Sequence, residues 1–214
     1  MKKSEVKKVI DKLDKKYYGA KPALNFKSNF ELLIAVILSA QCTDERVNKV
    51  TAVLFEKYDT PEKFLTLSKE ELSKLILPCG LNNSKAKNIL GACKKIVEDF
   101  GGEVPNNLES LRSLSGVGRK TANVVYAVGF GGDAIAVDTH VLRVSNRIGL
   151  ANSKNPITTE KQLMKKIDKE MWSKSHHYLI YHGRQVCTAR SPKCEACIIN
   201  GDCAYYLKKV KNDT

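Results

Sequence analysis

The 214-residue sequence predicts an all-α protein. Three observations lead there. Apolar residues recur at three- and four-residue intervals along most of the chain, no strand-like alternation occurs in the N-terminal half, and the breaks between apolar segments carry helix caps and stops. The periodicity amounts to roughly ten helices.

Taken in order, Val6, Val9, Ile10, Leu13 and Tyr17 lie at helical spacing with lysines between them, which predicts an amphipathic helix ending near Gly19. Residues 29–40 are almost wholly apolar but too short to cross a bilayer, so they read as a buried central helix. Thr43 caps a helix running to about Tyr58, and Pro61 suits the first position of the next. Ser68 to Glu71 is a capping box opening a short helix that Pro78 and Gly80 stop. Ala86, Ile89, Leu90, Cys93, Ile96, Val97 and Phe100 mark a strong helix ending at Gly101 and Gly102. Leu108, Leu111 and Leu114 then lead through Gly116-Val117-Gly118 into Ala122, Val125, Tyr126 and Gly129, which reads as helix, hairpin, helix. An extended run over 134–137 reaches Asp138, helices are expected over 139–150, 159–172 and 175–186, and a cysteine-spaced loop precedes a basic tail, 208–214, expected to fray.

Composition narrows the function. Thirty-six Lys and Arg against 23 Asp and Glu give +13, spread along the chain, a field suited to a polyanionic partner or to a merely solvated basic surface. Residues 1–6 lack the apolar core of a signal peptide, and no run approaches a membrane span, so a cytoplasmic protein is expected, nucleoid-associated if bacterial. Seven cysteines in a reducing compartment point away from disulfides and toward a metal site.

Two stretches carry chemistry. Gly116 and Gly118 can take positive φ, so backbone N–H groups can converge on an anion at the start of the second hairpin helix, and a DNA phosphate fits. Lys120 falls in that helix's first turn, where the dipole and Arg119 both disfavour an ammonium, the setting of an amine nucleophile. Cys187, Cys194, Cys197 and Cys203 are spaced by six, two and five residues. Four thiolates suit a [4Fe–4S] cluster or a structural zinc; a single Cys-x-x-Cys unit favours iron. Arg190 and Lys193, in the loop between the first two of these cysteines, are placed either to bind phosphate or as ordinary surface charges. Asp138, directly before Thr139-His140-Val141, has the position of a helix N-cap. Cys42, Cys79 and Cys93, in or beside apolar helices, read as small buried hydrophobes.

Leu114-Ser-Gly-Val-Gly-Arg-Lys-Thr-Ala-Asn123, Val137-Asp-Thr-His-Val141, the segment from Leu38 to Gln41 and the cysteine spacing together resemble the endonuclease III family of helix-hairpin-helix DNA glycosylase/AP lyases, over nearly the whole chain. The resemblance implies two helical domains, residues 20–132 with the hairpin and residues 1–19 with 133–214, and a [4Fe–4S] cluster on the four cysteines. It implies excision of oxidised pyrimidines from damaged duplex DNA, by a monomer, with Lys120 as nucleophile and Asp138 as its carboxylate. It places Gln41 and Leu81 where a side chain enters the duplex, and Gly116, Gly118, Arg119, His140, Arg190 and Lys193 on the DNA. Packing competes as a role for Leu81 and His140. Two alternatives are an adenine-mismatch glycosylase of the same superfamily, which lacks the lysine, and a non-catalytic DNA-binding module with structural zinc.

Overall fold

The computed structural model describes residues 1–20 and 22–213. Among them are twelve α-helices, three short 3-10 turns and no strand. The chain divides into two compact units, Pro22–Gly132 and Met1–Lys21 with Asp133–Thr214.

The first unit is built around α2, Asn29–Leu38, in which every residue after Asn29 is buried. Each Leu or Ile so placed contributes on the order of 1.5–3 kcal/mol relative to exposure. Its one acid, Glu31, is buried but accepts the Lys27 N–H at 2.6 Å. Around α2 pack α3 (Asp44–Lys57, capped by Thr43), α4 (Pro61–Phe64, capped by Thr60) and α5 (Lys69–Leu75, with the Ser68–Glu71 capping box). They are joined there by α6 (Asn82–Phe100), α7 (Leu108–Ser113) and α8 (Arg119–Gly129). A 3-10 turn, Leu77–Cys79, precedes α6, where Pro78 removes a donor and Gly80 turns the chain at φ 68°. Helices α7 and α8 form the hairpin and rest on α2 and α6 through Leu111, Leu114, Val117, Ala122 and Val125.

The second unit joins the two ends of the chain. Helix α1, Lys3–Tyr17, buries Val6, Val9, Ile10, Leu13 and Tyr17 against α11. The Tyr178 hydroxyl donates to Asp14, and Lys8 and Lys12 both reach Asp202 at 2.7 Å. These contacts are why the N-terminal helix packs with the C-terminal residues. Helix α9, Thr139–Ile148, follows the buried run 134–137 and stops at Gly149. Helix α10 is Pro156–Lys166 and α11 is Trp172–Gln185, so both begin three residues before the expected positions, and α10 ends six before. The signal for α10 was the Asn155-Pro156 pair: Asn155 Oδ1 accepts from Ile157 and Thr158 N–H, and Pro156 needs no acceptor. The expected frayed tail is instead helix α12, Ala204–Asp213; Thr214 lies outside the described residues.

Candidate functional site

In the Pro22–Gly132 unit, the hairpin is fixed from below. Gly116 has φ 76°, and a Cβ there would come within 2.7 Å of Asn88 Cβ on α6, while Ser115 Oγ donates to Asn88 Oδ1 at 3.2 Å. Both its φ and its packing require glycine. Gly118 departs from expectation: its φ is −82° and ψ 178°, extended backbone open to any residue, and a Cβ would meet nothing within 4 Å. Its bareness therefore faces outward, where a bound group can approach the N-terminus of α8. The first N–H groups of a helix have no helical acceptor, and no side chain caps α8. Arg119 occupies its first position, half-buried; Lys120, the second, is exposed.

Gln41 and Leu81 share a backbone peculiarity. With φ 54° and 49°, they are the only non-glycine residues of positive φ among the described residues. Such strain clusters at functional positions. Both are exposed, Leu81 to 54%. Of the other cysteines in this unit, Cys79 and Cys93 are buried and their thiols pushed up by burial to about 11 and about 12. Cys42 is only half-buried, in the loop four residues past the end of α2.

In the other unit, Asp138 is the N-cap of α9, its Oδ1 accepting the Val141 N–H at 2.7 Å. The carboxylate is half-buried and its cap uses one oxygen. His140 is half-buried, its imidazole drawn below the usual range by burial against the opposing pull of Asp138. Arg143 Nη2 lies 3.2 Å from His140 Nδ1 and donates to Gly183 O at 3.0 Å. A guanidinium only donates, so Nδ1 accepts and the ring proton is on Nε2. Gly183 permits this approach: a Cβ there would come within 3.1 Å of His140.

Cys187, Cys194, Cys197 and Cys203 line one pocket, walled by Ile148, Val186 and Ile199. A single zinc, with Zn–S near 2.3 Å, needs thiols closing on one point. Among the described residues no three His, Cys, Asp or Glu side chains do so. Four thiols lining one pocket with apolar walls are the ligand set of a polynuclear iron–sulfur centre. Burial pushes the Cys197 and Cys203 thiols up, so binding iron as thiolates releases protons there.

The surroundings are built for sulfur. His182 is buried, and burial pulls it down to about 4, so its ring is neutral. Its Nε2 is 3.4 Å from Cys197 Sγ and its Nδ1 is 3.0 Å from Tyr17 Oη. Arg147 donates to Thr188 O at 2.6 Å and Ala189 O at 2.8 Å, lies 3.5 Å from Cys187 Sγ, and stacks over Tyr205 at 5.0 Å. Arg143 Nε also donates to Cys187 O at 3.2 Å. These two arginines, four apart on α9, pin the loop that exposes Arg190 and Lys193. Sequence reasoning missed both. Their only signal was a pair of cations on one face of a helix whose other face is apolar.

The hairpin, the four-cysteine cavity and the all-helical units define the class: the model of the HhH-GPD superfamily of base excision DNA repair proteins matches residues 34–169, and that of the iron-sulfur binding domain of endonuclease III matches residues 187–203. The endonuclease III of Rickettsia conorii is 49% identical over 202 residues, 94% of this chain and 96% of that protein. That of Bacillus subtilis is 49% identical over 203 residues, 94% and 93%. A trapped endonuclease III–DNA covalent intermediate superposes with a TM-score of 0.92 at 46% identity, covering 98% of this chain and 99% of that one. The chain belongs to the endonuclease III family of DNA glycosylase/AP lyases, which carry a [4Fe–4S] cluster, and the matched iron-sulfur binding segment runs from Cys187 to Cys203.

Proposed function

We propose that this protein excises oxidised pyrimidines from duplex DNA and cleaves the resulting abasic site, with Lys120 as nucleophile and Asp138 as its carboxylate partner. The observation that carries the reading is Lys120 itself: an exposed amine in the first turn of α8, directly after a hairpin whose glycine leaves the helix N-terminus open to a phosphate. Backbone N–H groups and Arg119 hold the DNA strand, while Gln41 and Leu81 occupy the space a flipped-out nucleotide leaves. Arg190, Lys193 and His140 Nε2–H are further phosphate donors.

The chemistry then follows from the groups present. The Lys120 nitrogen bonds to C1′, the glycosidic bond breaks, and the base departs with the electron pair and picks up a proton. The Asp138 carboxylate either accepts the proton the attacking amine sheds or stabilises positive charge developing on the sugar as the base departs. Opening of the sugar ring gives a Schiff base, loss of the C2′ proton expels the 3′ phosphate, and water releases the lysine. Cys187, Cys194, Cys197 and Cys203 would hold the cluster, which would brace the loop carrying Arg190 and Lys193.

The reading extends to a monomer working in the cytoplasm, on the nucleoid in a bacterium. Among the described residues no helix is long and apolar enough to cross a membrane. The test is release of base from matched duplexes. An oxidised pyrimidine should be released with strand cleavage and adenine opposite an oxidised guanine should not; the reverse pattern would make this a mismatch adenine glycosylase.

A further inference from the structure

Lys85 is buried, 4% exposed, on α6 four residues after Leu81. Its Nζ donates to two backbone carbonyls, Leu38 O at 2.7 Å and Cys79 O at 2.9 Å. Leu38 is the last residue of α2, and a helix's final carbonyls have no helical donor. Cys79 is the last residue of the 3-10 turn before α6. A buried ammonium is tolerated only when hydrogen-bonded, and here the acceptors are carbonyls that would otherwise go unmet. Burial draws this amine below the ordinary lysine range.

The two carbonyls stand two or three residues before the two strained residues. Gln41 comes three residues after Leu38, and Leu81 two after Cys79. Each of these left-handed backbones persists only if its surroundings hold it. One side chain grips both approaches at once, from inside the core, without itself reaching the surface. We infer that Lys85 is a positioning residue: it locks the Gln41 and Leu81 turns in one register so that both side chains enter a duplex together. This rests on the reading of Gln41 and Leu81 as the residues that fill the opened stack.

Lys85→Met keeps the length of the side chain and removes its donors. Borohydride trapping on an abasic site in duplex DNA is compared with trapping on the same site in a single strand, where there is no stack to open. 2-Aminopurine opposite the duplex site reports the stack directly. The variant should trap on duplex at a rate roughly tenfold or more below the parent, as expected of a misplacement near an ångström. Its single-strand rate should hold within about twofold, and the 2-aminopurine signal should fall. Equal loss on both substrates would mean a structural role only, and no loss on either would also overturn the inference. If Lys85→Met does not fold at the assay temperature, Lys85→Gln, which keeps one amide donor, carries the same comparison. Gln41→Ala and Leu81→Ala check the reading beneath it: if duplex trapping is indifferent to both, that reading fails and the inference falls with it, whereas a defect in both with Lys85→Met normal sinks the inference alone.

Discussion

Tyr17 Oη lies 3.0 Å from Nδ1 of the buried His182, whose other nitrogen faces a cluster cysteine. With Cys197 holding iron as a thiolate, which would only accept, Nε2 would carry the ring proton and Nδ1 would accept from the tyrosine, whose own hydroxyl burial pushes up to about 12. The N-terminal helix thus supports the metal centre through a hydrogen-bonded relay. His182→Leu should lose iron and visible absorbance faster on exposure to a chelator, and Tyr17→Phe should do so less, with a stability cost of about 0.5–1.5 kcal/mol. Iron retention equal to the parent's in both variants would show the relay to be packing only.

The two hairpin glycines should separate fold from binding. Gly116→Ala forces a Cβ against Asn88 at positive φ and should destabilise by roughly 1–3 kcal/mol. Gly118→Ala meets nothing within the protein and should melt within about 0.5 kcal/mol of the parent. It should nevertheless bind duplex several-fold more weakly, measured by anisotropy. Unchanged binding would mean that no phosphate approaches that backbone.

Asp138 is a cap, and substitution can tell whether it is also more than that. Asp138→Asn keeps an oxygen for the Val141 N–H, so stability should change little, while base removal slows by roughly 10²–10⁴. Asp138→Ala should add a stability loss of about 1 kcal/mol. Full single-turnover activity in Asp138→Asn would leave only the capping role.

The +13 charge makes a salt prediction. Log affinity for undamaged duplex should fall linearly with log salt, and Lys193→Ala should make that slope shallower by about one contact. An identical slope would remove Lys193 from the phosphate-binding set.

The parts of this molecule legible in its sequence were those with a local cause. Caps at Thr43, Ser68 and Asp138 are each set by neighbours within three residues, and all three side chains accept the N–H their position demands. The four cysteines stood out by spacing, and the cavity brings them together. What escaped had nonlocal causes. Residues 208–214 were read as a frayed basic tail; in helix α12 Tyr205, Leu207 and Val210 are each about two-fifths exposed, so no buried stripe marks it. Arg143 and Arg147 acquire their roles from carbonyls some 40 residues away. Gly118 looked like a residue chosen for positive φ because its neighbour Gly116 is one; only the backbone reveals that its side is bare for a different reason.

The account stands or falls on Lys120, and borohydride reduction on abasic-site duplex tests it most directly. The parent protein should be captured covalently, with the adduct mapping to the peptide that carries Lys120, and Lys120→Gln should bind the same DNA but give neither adduct nor strand cleavage. A covalent adduct formed by Lys120→Gln at the parent's rate, or none formed by the parent, would contradict it.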